Sequence, residues 1–205
     1  MKSTLFTIIT SIVLVGGLTN STFATTINNN NAAVVATVLN DVKGINKIEI
    51  RGNVQLYVSA GQTDQVKVYN RYYAESALVQ NQKGVLRITS YKTEKLVVWV
   101  TANDLRAITA YDNSEVKSFG NLSIIDLDVN LHNNATANLN LDAYNANINV
   151  ADHAKIELSG TATQYNLNHN AQSSVNSNRF VATTYTDKLT NGSAILKEND
   201  ELAGL

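Results

Sequence analysis

The chain has no cysteine and no proline, and only one methionine and one tryptophan among its 205 residues. Lacking cysteine, it forms no disulfide, no thiolate metal site and no thiol nucleophile. Proline deletes a backbone donor, so its absence fits a chain mostly committed to hydrogen-bonded strands. Charge is scarce as well: 16% of residues are charged and the formal net charge is −1. No basic stripe exists to displace phosphate counterions, so nucleic acid is not an expected partner. Residues 25–120 hold 11 Lys/Arg against 8 Asp/Glu, and residues 121–205 hold 4 against 9. An acidic bias of that size names no partner. Beyond Leu18 no segment carries the roughly 20 apolar residues that a helix needs to cross a bilayer.

The N-terminus is patterned for export. Met1-Lys2 precedes an apolar stretch from Leu5 to Leu18, and Thr22-Phe23-Ala24 supplies a small-x-Ala end. Such a segment reads as a signal peptide over residues 1–24, cleaved after Ala24, so that the mature chain starts at Thr25. The apolar stretch is too short for an anchor and is diluted by Thr7, Thr10 and Ser11. The expected address is the periplasm, the outer cell surface or the medium. A cysteine-free exported chain fits a bacterium. Residues 25–43 read as an Asn-rich arm around Asn28–Asn31, in which Val34, Val35, Val38 and Leu39 dock as a short helix or an edge strand. Residues 44–198 then form the main domain and 199–205 a tail.

From Gly44 to Tyr91 apolar residues alternate. Ile48, Ile50, Val54, Leu56 and Val58 mark two strands broken at Arg51-Gly52-Asn53, and Val66, Val68, Leu86 and Ile88 continue the pattern beyond turns at Gly61 and Gly84. Period-2 alternation between Gly, Asn and Asp clusters predicts β structure. The denser run Leu96–Val100 predicts a strand covered on both faces.

The second half repeats. Five-residue corners begin at Asp112, Asn133, Asp152, Ala171 and Asn191, each with Ser or Ala third and an apolar fifth residue. Before each corner, columns align: Ala110, Leu131, Val150, His169 and Leu189; then Ile108, Val129, Ile148, Leu167 and Asp187; then Leu127, Ala146, Tyr165 and Tyr185. A period near 20 with strand alternation on both sides of a corner predicts a single-stranded parallel β-helix, or β-solenoid. It would have about five turns, preceded by a short antiparallel or alternating β region. Isolated hairpins would not keep the columns matched.

Gly44-Ile45-Asn46-Lys47-Ile48-Glu49-Ile50-Arg51-Gly52-Asn53-Val54 resembles the opening of the bacterial GIN-domain family of auto-transporter adhesin heads. The likeness extends through the Leu86-Arg87-Ile88 strand, the Thr101 to Leu105 step and the small-residue corners, and it spans about Gly44 to Leu196. Two features depart from the family pattern. The corners carry Asn, Asp and Ala rather than Ser-Gly repeats, and Asp104 stands where the family has proline. The resemblance implies export, a β-helical fold, a Bacteroidetes-type source and an adhesin role.

Three chemistries suggest themselves. His132, His153 and His169 recur near the repeat spacing, yet they sit one before, one after and two before their corners, so they do not converge as zinc ligands must. The expected role is structural, with no metal and no cofactor. Asp126 and Asp128 share an outward face, as a glycan-cleaving pair would, and Asp152 is a further candidate for such an enzyme. One repeat on, however, the same positions hold Asn147 and Asn149 and then Asn166 and Asn168, which do not titrate. An enzyme is therefore not expected; a polysaccharide lyase or hydrolase stands as the alternative, and a ligand-free structural envelope protein as another. What remains is the outward face of Asp126, Asp128, Asn130, Asn145, Asn147, Asn149, Asn166, Asn168 and Asn170. Stacked amides can satisfy one another or offer a surface to a cell-surface glycan or an envelope protein. Tyr144, out of the inward column, is placed to add an aromatic platform beside Asn145. The candidate ligand-binding residues are thus Asp126, Asp128, Tyr144, Asn145, Asn147, Asn149, Asn166 and Asn168, with no catalytic residue.

Overall fold

The computed structural model describes residues 36–39, 42–69, 77–90 and 92–190. The expected signal peptide, Asn28–Asn31, Val34 and Val35, Tyr72-Tyr73, the expected fifth corner at Asn191 and the expected tail lie outside the described residues. Among the described residues the chain is all β, with thirteen strands: β1 (Ala36–Leu39), β2 (Lys47–Gly52), β3 (Val54–Ala60), β4 (Gln65–Tyr69), β5 (Ala77–Gln82), β6 (Val85–Ser90), β7 (Leu96–Ala102), β8 (Ala107–Ala110), β9 (Glu115–Ser118), β10 (Leu122–Leu131), β11 (Thr136–Val150), β12 (Lys155–His169) and β13 (Ser174–Leu189). None of these residues forms a helix long and apolar enough to cross a membrane.

The strands form one mixed sheet, and this corrects the expected parallel β-helix of five repeated turns. Eleven strands follow the order β1-β4-β7-β3-β9-β11-β10-β8-β2-β6-β5, with β12 on β11 and β13 on β12. Three pairings are antiparallel: β1 with β4, β4 with β7, and β5 with β6. The region before the corners is no separate preamble, because β2 and β3 pair in parallel with β8 and β9. The spacing near 19 survives as a ladder register, with Ile148 opposite Leu167 and Ala137 opposite Ile156. The strands of that ladder are long, 15 residues each for β11 and β12. They stay paired where short segments separated by corners were expected, so the sheet curls around its core.

Alternation decides which side is buried. Ile48, Ile50, Leu56, Leu86, Ile88, Val98, Ile108, Leu127, Leu131 and Leu139 are fully buried in one continuous core. The burial of apolar area, at roughly 25 cal/mol per Å2, is the main force that curls the sheet around this core. In β7 the burial alternates strictly, so Val97 and Trp99 point away from the core. The strand is not covered equally on both faces. Its apolar density reflects an outward aromatic cluster described below. Of the arm residues, β1 is the edge strand, and Val38 is exposed.

The corners are built from left-handed residues. Asp112, Asn133 and Asp152 have φ of 62°, 59° and 57°. Asp and Asn are the side-chain-bearing residues that tolerate this region best. Their side chains accept backbone N–H groups from the rung before. Gly52 N donates to Asp112 Oδ2 at 2.9 Å, Asp112 N to Asn133 Oδ1 at 3.1 Å, and Asn133 N to Asp152 Oδ2 at 2.7 Å. Two residues on, Ser114, Ala135 and Ala154 are fully buried, and Ser173 is half-buried. Small side chains are required there because the backbones pair directly beside them: Thr136 N donates to the Ser114 carbonyl and Lys155 N to the Ala135 carbonyl. Gly52, at φ 79°, is a site where no Cβ fits, since one would fall on the Ser90 carbonyl oxygen.

The candidate binding face

Parallel pairing sets Asp126 opposite Asn145, Asp128 opposite Asn147 and Asn130 opposite Asn149. The next strand places Asn166 opposite Asn147 and Asn168 opposite Asn149. All stand on the outward side, because Leu127, Val129, Ala146, Ile148 and Leu167 between them are buried. The side chains bond along the ladder. Asn145 Nδ2 donates to Asp126 Oδ1 at 2.5 Å, Asn147 Nδ2 to Asp128 Oδ1 at 2.8 Å, Asn149 Nδ2 to Asn130 Oδ1 at 2.9 Å, and Asn166 Nδ2 to Asn147 Oδ1 at 2.9 Å. Asn168 accepts from the Thr190 hydroxyl. Six of the candidate residues, with Asn130, thus form three bonded rows, and Asn168 stands in register beside Asn149. The Asn145 side-chain Oδ1 is buried without a hydrogen-bond partner.

Tyr144 belongs to the same surface through a slip in alternation. Ala143 and Ala146 are both buried although three residues apart, so Tyr144 and Asn145 both turn outward. Tyr144 is 53% exposed and Ile125, its neighbour on β10, is 74% exposed. Two shallow grooves flank Ile124 and Ile125. One, of about 240 Å3, is lined by Ser59, Asp104, Arg106 and Asp126; the other, of about 310 Å3, is lined by Asp142, Tyr144 and Thr163. Arg106 binds Asp104 through two nitrogens, the closer contact at 2.8 Å. That hydrogen bond, with a weaker contribution from Asp126, raises the Arg106 pKa.

Among the described residues no three His, Asp or Glu side chains come together to hold a metal ion. His132 stacks on Tyr111 at 4.8 Å, with the Arg51 guanidinium 3.8 Å from the Tyr111 ring on the same stack. His169 Nε2 lies 3.2 Å from Asp187 Oδ1. Asp152 is engaged in its corner bond to Asn133. Tyr165 and Tyr185 stack at 4.9 Å, but only Tyr165 is buried; Tyr185, expected in the core, is 52% exposed on β13, which among the described residues pairs with β12 alone. Burial, followed by the nearby Tyr185 hydroxyl, pushes the Tyr165 pKa well up.

The sequence reading missed an aromatic cluster on another outward surface. Tyr57 and Trp99 stack at 4.7 Å, Trp99 meets Phe119 at 4.9 Å, and Tyr69 meets Trp99 edge-on at 6.2 Å. Its signal was available in the alternation of Val98 and Val100 around Trp99. On the same surface Glu115 binds Lys95 and Lys117 at 3.1 and 2.6 Å. Partial burial works to raise the Glu115 pKa, but the two ammonium groups outweigh it and hold the carboxylate below its ordinary range.

A curled β-sheet with polar and aromatic outer surfaces defines the class: an all-β domain that presents its polar and aromatic side chains on sheet faces. Within that class the chain belongs to the family described as "Putative auto-transporter adhesin, head GIN domain", which matches residues 44–203. Its fold is similar to that of a "putative adhesin" from Bacteroides fragilis, with a TM-score of 0.69, 15% identity and 78% of each chain covered. A "putative adhesin" from Parabacteroides merdae gives 0.63 at 13% identity, covering 78% of this chain and 79% of that one. A "putative lipid binding protein" from Parabacteroides distasonis gives 0.56 at 10% identity, with the same coverages. At these identities the likeness is one of fold. No curated protein matches the chain.

Proposed function

We propose that this chain is an exported, non-enzymatic adhesion or interaction module of a bacterial cell envelope, and that it attaches through the Asp/Asn face of β10, β11 and β12. The observation that carries the reading is the bonded amide array. Asn145, Asn147, Asn149 and Asn166 each commit one N–H to the rung before, which fixes the amide plane and leaves the second N–H directed elsewhere. The array is therefore ordered before any ligand arrives, so little side-chain entropy is lost on binding. Tyr144 supplies an exposed ring beside it. The family's adhesin description and the signal-like N-terminus support export to the envelope, and the partner chemistry is a surface glycan or an envelope protein. The carboxylates of Asp126 and Asp128 serve as ladder acceptors among amides that do not titrate, which favours binding over hydrolysis.

The test changes Asn147, Asn149, Asn166 and Asn168 together to Ser. Surface changes of this kind cost about 0.5 kcal/mol or less each, so the fold is expected to survive. Attachment to native envelope material should be lost while the melting curve moves little. A variant that loses stability but attaches as before would show the face to be a structural ladder only.

A further inference from the structure

We infer that the Tyr57–Trp99–Phe119 surface is a second, separate binding site, and that its ligand is an acidic polysaccharide carrying uronate groups. The chain's single tryptophan stands at an outward position, where a solvent-facing strand ordinarily carries a polar residue. Its neighbours on the sheet are aromatic too: Tyr57 on β3, Tyr69 on β4, and Phe119 just after β9. Phe119 is 60% exposed and inclined 57° to the indole, so part of its ring stays open to solvent. Aromatic faces are electron-rich and attract polarised C–H groups and cations. One face of a pyranose ring presents such C–H groups, while its hydroxyls and carboxylate lie at the rim.

The rim of this surface matches that description. Gln55, Ser59 and Thr101 alternate outward beside the rings, and Ser59 and Thr101 share a hydrogen bond at 3.0 Å. Lys67 lies directly across from Trp99 in the β4–β7 pairing. Lys117 Nζ stands 6.0 Å from the Tyr57 ring. Glu115 binds Lys95 and Lys117, while Lys67 lies across from Trp99, so these three ammonium groups outnumber that carboxylate by two. A neutral glycan would leave that excess unanswered, and a lipid tail would bury ammonium groups without partners. A uronate polymer supplies the stacking face and the countercharge together. The site shares no residue with the amide face, so the two readings stand or fall separately.

Native affinity electrophoresis of the full chain, in gels containing polygalacturonate or neutral dextran, tests this. Polygalacturonate should retard the protein and dextran should not. Phe119→Ala, at a mostly exposed position, should weaken the retardation about tenfold, as loss of a central aromatic anchor does. Trp99→Ala should do the same, and Lys67→Gln should flatten the salt dependence. The quadruple Asn-to-Ser variant should be retarded like the parent. Absence of retardation by polygalacturonate, equal retardation by dextran, or full retardation of Phe119→Ala and Trp99→Ala would overturn the assignment. Loss of retardation in the quadruple Asn variant would place uronate binding on the other face, which also overturns it.

Discussion

Asn133 offers a direct measure of what holds the corners together. It sits mid-ladder at φ 59°, is exposed, and accepts the Asp112 N–H through its side-chain oxygen at 3.1 Å. Asn133→Ala removes that bond, worth about 1 kcal/mol net. It also places a residue without local hydrogen-bonding help in the left-handed region, at a cost of about 1–2 kcal/mol. The sum is about 2–3 kcal/mol. Asn133→Gly removes the same bond but carries no left-handed penalty, and the extra unfolded-state freedom of glycine returns roughly 0.5–1 kcal/mol of cost. The Gly variant should therefore lie above the Ala variant in stability and below the parent. Urea unfolding with an unchanged m value would measure both. Hydrogen exchange at the Asp112 amide should accelerate in each. If Ala and Gly variants unfold at the parent's midpoint, the corner bonds contribute nothing net. If Gly is as damaging as Ala, the backbone conformation is not the cause.

Two further perturbations test the interior. Ala154→Leu, at a fully buried corner position, should overpack the turn and lower stability by about 1–3 kcal/mol, and an unchanged melting temperature would refute the buried register. Tyr165 is buried with a hydroxyl that makes no well-formed hydrogen bond, although Ser177 is close enough to be felt. Tyr165→Phe should therefore raise stability by about 1 kcal/mol. The same residue gives a pH signature. Its native pKa is raised above the ordinary 10.0, so the native state resists ionisation while the unfolded chain does not. Its contribution is complete below pH 10 and is lost as pH rises beyond it. Tyr165→Phe should flatten that alkaline loss, which pH-dependent melting would detect.

The inward residues were legible in the sequence because burial follows local alternation. Ile48, Ile50, Leu56, Leu86, Ile108, Val129 and Ile148 were assigned to the core from spacing alone, and all are buried. The Asp/Asn rows were legible for the same reason: one repeat step equals one ladder register, so like positions become neighbours. The N-terminal strands hid their pairings because these join residues far apart with no repeat to announce them, as in the Gln55–Glu115 bond across 60 residues.

The sequence by itself determined that the chain is all β, which side chains of β2, β3, β6, β8, β10 and β11 face inward, and that Asn and Asp occupy the corners. Those are consequences of period 2, of small volume at tight turns, and of left-handed tolerance. Only the tertiary structure decided that β4, β1 and β5 join by antiparallel pairing, that β2 and β3 extend the ladder of the repeats, and that one curled mixed sheet replaces a uniform coil. It likewise decided that Trp99 meets Tyr57 and Phe119 on one surface. Strand partners and side-chain clusters of that kind depend on which distant segments pair, and alternation along one strand carries no information about the strand beside it.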